Sequence, residues 1–381
     1  MIAEFSLQNR QSQLDDLLAR VCVELQLTPT RYNEAVERYE AVCRWLEAEG
    51  SPVASYKPTI YPQGSMRIGT TVKPLGREEH DLDFVCEFQV DASMIEAPLE
   101  LLQHVAQRLK EHEVYSGLLE LKNRCVRLNY ANEFHMDILP ACPDPASGNH
   151  CIVVPDRQSA WWKPSNPRGY ADWFRDRCVV TVPYQFSARK MAMDSAEPIP
   201  AQEASHEKAT LKHVVQLLKR WRDLYYQDRC DVAPISMVLT TLAAQFYSGH
   251  WSVSESMTTI LDGIEGAINA AMPERIYVLN PANTEEDLSE RWDDAKQYAA
   301  FVEGIGDLRA TWKRLTADQG LEKTVGILEG LAGEPTKEAF RKQARDLQAA
   351  RSANVLKSAS AGAISVVSGV SIRPNTFHGE E

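Results

Sequence analysis

Three aspartates and a serine carry the chemistry this chain can perform. Asp81 and Asp83 stand two apart in His80-Asp81-Leu82-Asp83, and Asp137 interrupts the apolar run Phe134-His-Met-Asp-Ile-Leu-Pro140. In an extended strand, residues two apart point to the same face, so Asp81 and Asp83 form a paired carboxylate site. Magnesium prefers oxygen ligands and commonly shares carboxylates with substrate phosphates. An unpaired charge inside an apolar strand is expensive, and a bound metal would explain Asp137. Upstream, Gln63-Gly64-Ser65 follows a strand-like segment and precedes a short helix, with Gly69-Thr70 just beyond. A glycine there permits close backbone approach to a phosphate, a helix N-terminus favours the anion, and Ser65 offers a hydroxyl.

Alone, a Gly-Ser pair is almost uninformative, and Asp-x-Asp is more often a turn or surface pair. Their order is more telling: Gly-Ser, Gly-Thr, two acids on one strand, and an isolated acid on a later strand. Elements must exist to place them. Lys57 to Tyr61, Asp81 to Phe88, Arg124 to Tyr130 and Phe134 to Leu139 read as strands, with Ala131-Asn132 a candidate hairpin turn between the last two. A helix near Pro98 to His112 presents Leu101, Leu102, Val105 and Leu109 on one side. Residues 6 to 49 read as helical, with Tyr32, Val36, Tyr39, Val42, Trp45 and Leu46 at helix spacing after the turn-like Thr28-Pro29-Thr30.

Beyond about residue 200 the strands thin out. Amphipathic helical segments are expected at 206–228, 234–248, 255–272, 285–315, 318–332 and 335–352. The expected fold is α+β: a mixed sheet with flanking helices in residues 1–200, a helical domain in 201–352, and a flexible tail in 353–381.

A formal net charge of −12 disfavours broad adhesion to duplex nucleic acid, whose phosphates call for Lys and Arg. No run approaches the roughly 20 apolar residues of a membrane span, and the first ten residues lack a signal-like pattern, so a cytoplasmic location is expected. The eight cysteines are scattered and read as reduced thiols. Only Cys142, His150 and Cys151 cluster, and no fourth zinc ligand is evident.

The stretch Tyr61-Pro-Gln-Gly-Ser-Met-Arg-Ile-Gly-Thr-Thr-Val-Lys-Pro74 with Asp81-Leu-Asp83 resembles the cGAS/DncV-like nucleotidyltransferases (CD-NTases) of bacterial CBASS anti-phage signalling, within the polymerase β superfamily. The segments Trp162 to Phe174, Leu217 to Asp223 and Pro234 to Leu239 extend the resemblance, which spans roughly residues 30 to 250. It implies a nucleotidyltransferase core joined to an oligoadenylate-synthetase-like helical domain, with nucleotides in the cleft between them. It further implies that Asp81, Asp83 and Asp137 hold two Mg²⁺ ions, for which Mn²⁺ can substitute, and that Gln63, Gly64, Ser65, Arg67, Lys219 and Ser236 form the nucleotide site.

Lys212, two helical turns before Lys219, is an alternative triphosphate ligand, and a solvated basic helix face is the bland reading of both. Trp161, Trp162, Tyr170 and Trp173 could stack on a base, although such a cluster more often serves as core. The implied product is a cyclic di- or trinucleotide made from nucleoside triphosphates, ATP among them. The zinc insert of animal cyclic GMP-AMP synthase is missing, so duplex DNA is not the expected activator. Partner proteins of a CBASS operon acting on the C-terminal tail, which here ends Gly379-Glu380-Glu381, are a further implication. Two alternatives stay open: nucleotide addition to RNA or protein, and a catalytically silent nucleotide-binding scaffold.

Overall fold

Alternation along one strand organises the first half of the molecule. In β2 (His80–Glu87), Leu82, Phe84 and Cys86 are fully buried on one face, whereas Asp81, Asp83 and Val85 lie on the other. The computed structural model describes residues 2–76, 80–130, 134–178, 196–204, 207–317, 320–353, 357–358, 364–365 and 370–371. The buried face of β2 packs against α2 (Pro29–Glu47) and α4 (Pro98–Lys110), which contribute Tyr39, Val42, Leu46, Leu101, Leu102, Val105 and Leu109. Truncating Phe84 to Ala in such a core would cost about 3–5 kcal/mol.

The sheet runs β1-β2-β5-β4-β3, with β1 Thr59–Pro62, β3 Leu119–Leu121, which follows the short helix α5 (Glu113–Ser116), β4 Val126–Tyr130 and β5 Phe134–Pro143. β2 and β5 are parallel, and every other pairing in this path is antiparallel. β4 and β5 pair as the hairpin that the sequence suggests, Tyr130 opposite Phe134, although its turn, 131–133, lies outside the described residues. The far end of β5 continues into β6 (Ile152–Asp156) and β7 (Trp161–Ser165), two strands the sequence reading missed.

The helical lobe has its own core. The helix α7 (Thr210–Tyr225) runs through it, packed against α6 (Pro167–Cys178), α8 (Ser236–Phe246), α9 (Val253–Ala271) and α11 (Leu321–Ala332), while α10 (Ala295–Thr316) packs on α9 and α11, and α12 (Pro335–Ser352) on α11. α1 (Ile2–Leu25) belongs to this core, burying Leu17, Leu18, Val21, Cys22 and Leu25 against α7, α9 and α12. The helical stretch expected over 6–49 is divided at the turn-like Thr28-Pro29-Thr30: the Thr28 side chain caps α2, accepting from Arg31 N–H, and Pro29 begins the new helix.

The helix expected over 285–315 starts later. A small hairpin of β8 (Leu279–Asn280) and β9 (Asn283–Asp287) takes up its beginning, and Asp294 caps α10 by accepting from Lys296 N–H at 2.9 Å. Three two-residue strands, Lys357–Ser358, Ile364–Ser365 and Val370–Ser371, pair within the tail. The terminal Gly379-Glu380-Glu381, part of the tail on which partner proteins are expected to act, lies outside the described residues. Among those residues no helix is long and apolar enough to cross a membrane.

Candidate active site

The strand register assembles the acidic floor. Asp83 stands beside Asp137 across the parallel β2–β5 pair, and Asp81 beside His135, so all four side chains emerge on the face away from α2 and α4. Asp83 is pushed up to about 8 by burial first, then by the negative charges of Asp81 and Asp137. Asp81 also shifts upward through burial, opposed by Arg127. Its side chain remains 59% exposed to the cleft, so water tempers that effect.

The short helix α3 (Gly64–Ile68) starts directly over this floor. The Gln63 N–H donates to the Asp83 carbonyl at 2.9 Å, a backbone bond that ties the loop to β2. Gly64 has φ of +60°, and a Cβ there would lie 2.7 Å from Asp83 Oδ2. Any other residue would both strain the backbone and strike the carboxylate. Ser65 Oγ accepts from the Thr71 hydroxyl at 3.4 Å.

From the opposite side, α7 fastens the loop that follows α3. Gln216 Nε2 donates to the Thr71 carbonyl at 2.8 Å, Lys219 Nζ reaches the Thr70 carbonyl at 3.3 Å and hydroxyl at 3.1 Å, and Arg220 donates to the Lys73 carbonyl. Lys219 is therefore not part of a solvated helix face; it is 8% exposed. Burial lowers it to about 8, partly offset by Asp223 and Asp83. Lys212 points elsewhere, into an ion pair with Glu203 at 2.6 Å behind α3.

A cleft of about 420 Å³ joins these parts, lined among others by Gly64, Ser65, Asp81, Asp83, Lys219 and Ser236. Ser236 is the first residue of α8, whose N-terminus opens on the cleft. Two charged lining residues escaped the sequence reading: Arg222, anchored by Nε to the Pro234 carbonyl at 3.0 Å, and Asp223, which pairs with it at 2.8 Å. Their only signal was a spacing of three and four from Lys219 on one helix, which recovers them once Lys219 is placed.

Several expectations need correction. Arg67 does not reach the cleft: its guanidinium bonds the Pro62 carbonyl at 3.2 Å and Glu197 at 2.9 Å, because the α3 turn aims it at the segment around residue 197. Asp137 is not unpaired. Arg127, opposite it on β4, grips both its oxygens at 2.7 Å, so burial of that charge does not by itself require a metal. Among the described residues no three His, Cys, Asp or Glu side chains form a ready coordination cage. The fit of a cation rests instead on Asp81 and Asp83, two carboxylates on one face of β2 that both line the cleft, Asp83 being raised by its burial and then by the negative charges of Asp81 and Asp137.

Of the aromatic group, Trp161 is 62% exposed on β7, while Tyr170 is buried in the helical core with its hydroxyl 2.9 Å from Thr241; none lines the cleft. Near the candidate zinc residues, Cys151 Sγ accepts from Asn166 at 3.4 Å.

A mixed sheet bearing paired acids beneath a Gly-Ser loop, facing a helical wall, defines a two-lobed nucleotidyltransferase. Residues 11–178 match the Second Messenger Oligonucleotide or Dinucleotide Synthetase domain. The chain is 34% identical over 382 residues to a c-di-GMP synthase of Roseivirga ehrenbergii, covering 98% of this chain and 99% of that protein. It is 27% identical over 300 residues to the cyclic dinucleotide synthase CdnG of Bradyrhizobium diazoefficiens, covering 74% of this chain and 71% of that one. The structure of CdnG in complex with GTP superimposes with a TM-score of 0.70 at 25% identity, covering 86% of this chain and 98% of that chain.

The chain belongs to the cGAS/DncV-like nucleotidyltransferase family, the CD-NTases. It is an enzyme that synthesises cyclic oligonucleotide second messengers from nucleoside triphosphates.

Proposed function

We propose that the enzyme makes a cyclic dinucleotide with GTP as a substrate, and that Asp81, Asp83 and Asp137 hold two Mg²⁺ ions in the reacting centre. The observation that carries this reading is the juxtaposition of Asp81 and Asp83 with Asp137 across β2 and β5, beneath Gly64 and facing Lys219 and Ser236 over the cleft. GTP is favoured because a relative aligned along nearly the whole chain is named a c-di-GMP synthase and CdnG was solved with GTP.

Bound divalent cations would lower the proton affinity of the attacking ribose hydroxyl and offset charge on the departing pyrophosphate. The chain's own groups do the positioning. Gly64 lets the backbone approach the donor triphosphate, and the Ser65 hydroxyl donates to it. Lys219 and Ser236 bind the same triphosphate from the helical wall, and Arg222 offers a second fixed positive charge there. Asp137 lies on the acceptor side, and no covalent enzyme intermediate is needed.

A cyclic product made for anti-phage signalling accords with the family. Incubation with labelled nucleoside triphosphates in every pairwise combination with Mg²⁺ tests the proposal. The expected product is small, contains guanine and releases no phosphate to phosphatase, since each phosphate bridges two riboses. The same assay reads out the adenine that the family resemblance implies. Label confined to RNA or polypeptide would overturn cyclisation, and full turnover in EDTA would overturn the metal assignment.

A further inference from the structure

Arg127 is the strongest feature of the site that the reading above leaves without a task. It sits on β4 directly opposite Asp137, on the face shared with Asp81 and Asp83, because Val126, Leu128 and Tyr130 take the core-facing positions of the strand. Its Nε and Nη2 bind the two oxygens of Asp137 at 2.7 Å each, and Nη2 lies 3.5 Å from Asp81 Oδ1. Arg127 is 20% exposed and Asp137 15%, so the pair is only lightly screened. A two-pronged guanidinium fixes the carboxylate plane while using only one of the two lone pairs on each oxygen.

We infer that Arg127 is a positioning residue that pre-orients Asp137 and lends the acidic floor a permanent positive charge, holding down its affinity for divalent cations. The inference rests on the metal-binding reading of the three aspartates. Two separable effects follow. The charge opposes cation uptake by Asp81 and Asp137 whatever the geometry, whereas the fork sets the orientation of Asp137 and so the rate. A partner that only oriented a ligand would weaken metal binding when removed. Loss of a like charge beside the cation site does the opposite.

Arg127→Gln and Arg127→Lys separate the two. Mn²⁺ alone is titrated into the nucleotide-free full chain by calorimetry, and kcat and KM are measured in parallel. Arg127→Gln is expected to bind Mn²⁺ about tenfold more tightly, as one like charge is removed, while kcat falls about 10- to 100-fold. Arg127→Lys keeps the charge and loses the fork, so Mn²⁺ affinity stays within about threefold of wild type while kcat falls about tenfold, with KM for the nucleotide little changed in both.

A folded Arg127→Gln protein that binds Mn²⁺ no more tightly than wild type overturns the inference and leaves the metal reading standing. If that variant does not fold, wild-type kcat in Arg127→Lys overturns it instead. A wild-type chain that takes up no Mn²⁺ would remove the metal reading itself.

Discussion

The two walls of the cleft are built on different physical rules. The sheet wall places Asp81 and Asp83 by local geometry alone, since a spacing of two on any strand gives one face, and adds Asp137 through a single strand pairing. The helical wall places Lys219, Arg222 and Ser236 only after α7 and α8 have packed across the molecule and buried Lys219 against Thr70. One wall concentrates negative charge and raises Asp83; the other buries positive charge and lowers Lys219, each to about 8. Burial on the two facing surfaces thus disfavours the charged forms of an acid and of a base before any nucleotide enters. A triphosphate with its cations is what would complement both.

The largest effect should come from the sheet wall. Asp81→Asn with Asp83→Asn is expected to lower turnover by at least about a thousandfold, a loss of roughly 4 kcal/mol of transition-state stabilisation, while raising the melting temperature of the metal-free protein. Folded Asp83 holds its proton up to about 8, whereas in the unfolded chain it releases it in the ordinary carboxylate range. In that window the native state binds the extra proton, so wild-type stability falls as pH rises. The stability advantage of the variant should grow from pH 5 toward pH 8 and then level off. An advantage that shrinks across this interval would mean that Asp83 is not crowded by its neighbours.

The helical wall should respond less, and in a pH-dependent way. Lys219→Met is expected to reduce kcat/KM by about 10- to 100-fold, the worth of one charge-assisted hydrogen bond. Lys212→Met, behind α3, should leave kcat/KM within about threefold while lowering thermal stability, because it strips Glu203 of its partner. Since burial brings Lys219 to about 8, wild-type affinity for the triphosphate should weaken as pH rises above that point, and the Met variant should lack this slope. Equal losses from both lysines would erase the distinction between them. Ser65→Ala, one hydroxyl on the loop between the walls, should cost about 1.5–3 kcal/mol in kcat/KM at most; unchanged kinetics would remove Ser65 from the site.

The sequence alone determined what period and spacing can encode. The β2 and β5 alternation, the α4 stripe and the missing side chain at Gly64 are all local, so the paired acids, the Gly-Ser loop and the α+β order were legible from residue types. β6, β7 and the β8–β9 hairpin were not, because Pro155, Pro164 and the polar Asn-Thr-Glu-Glu-Asp run carry weak strand signals and gain their pairing from distant neighbours. Only the tertiary structure decided that α1 joins the helical core, that Lys219 rather than Lys212 faces the cleft, that Arg67 turns away to Glu197, and that Arg127 meets Asp137. Each of those depends on which long, flexible cation lands beside which acid or carbonyl. Spacing along the chain cannot specify that outcome, since it is set by packing between elements far apart in sequence.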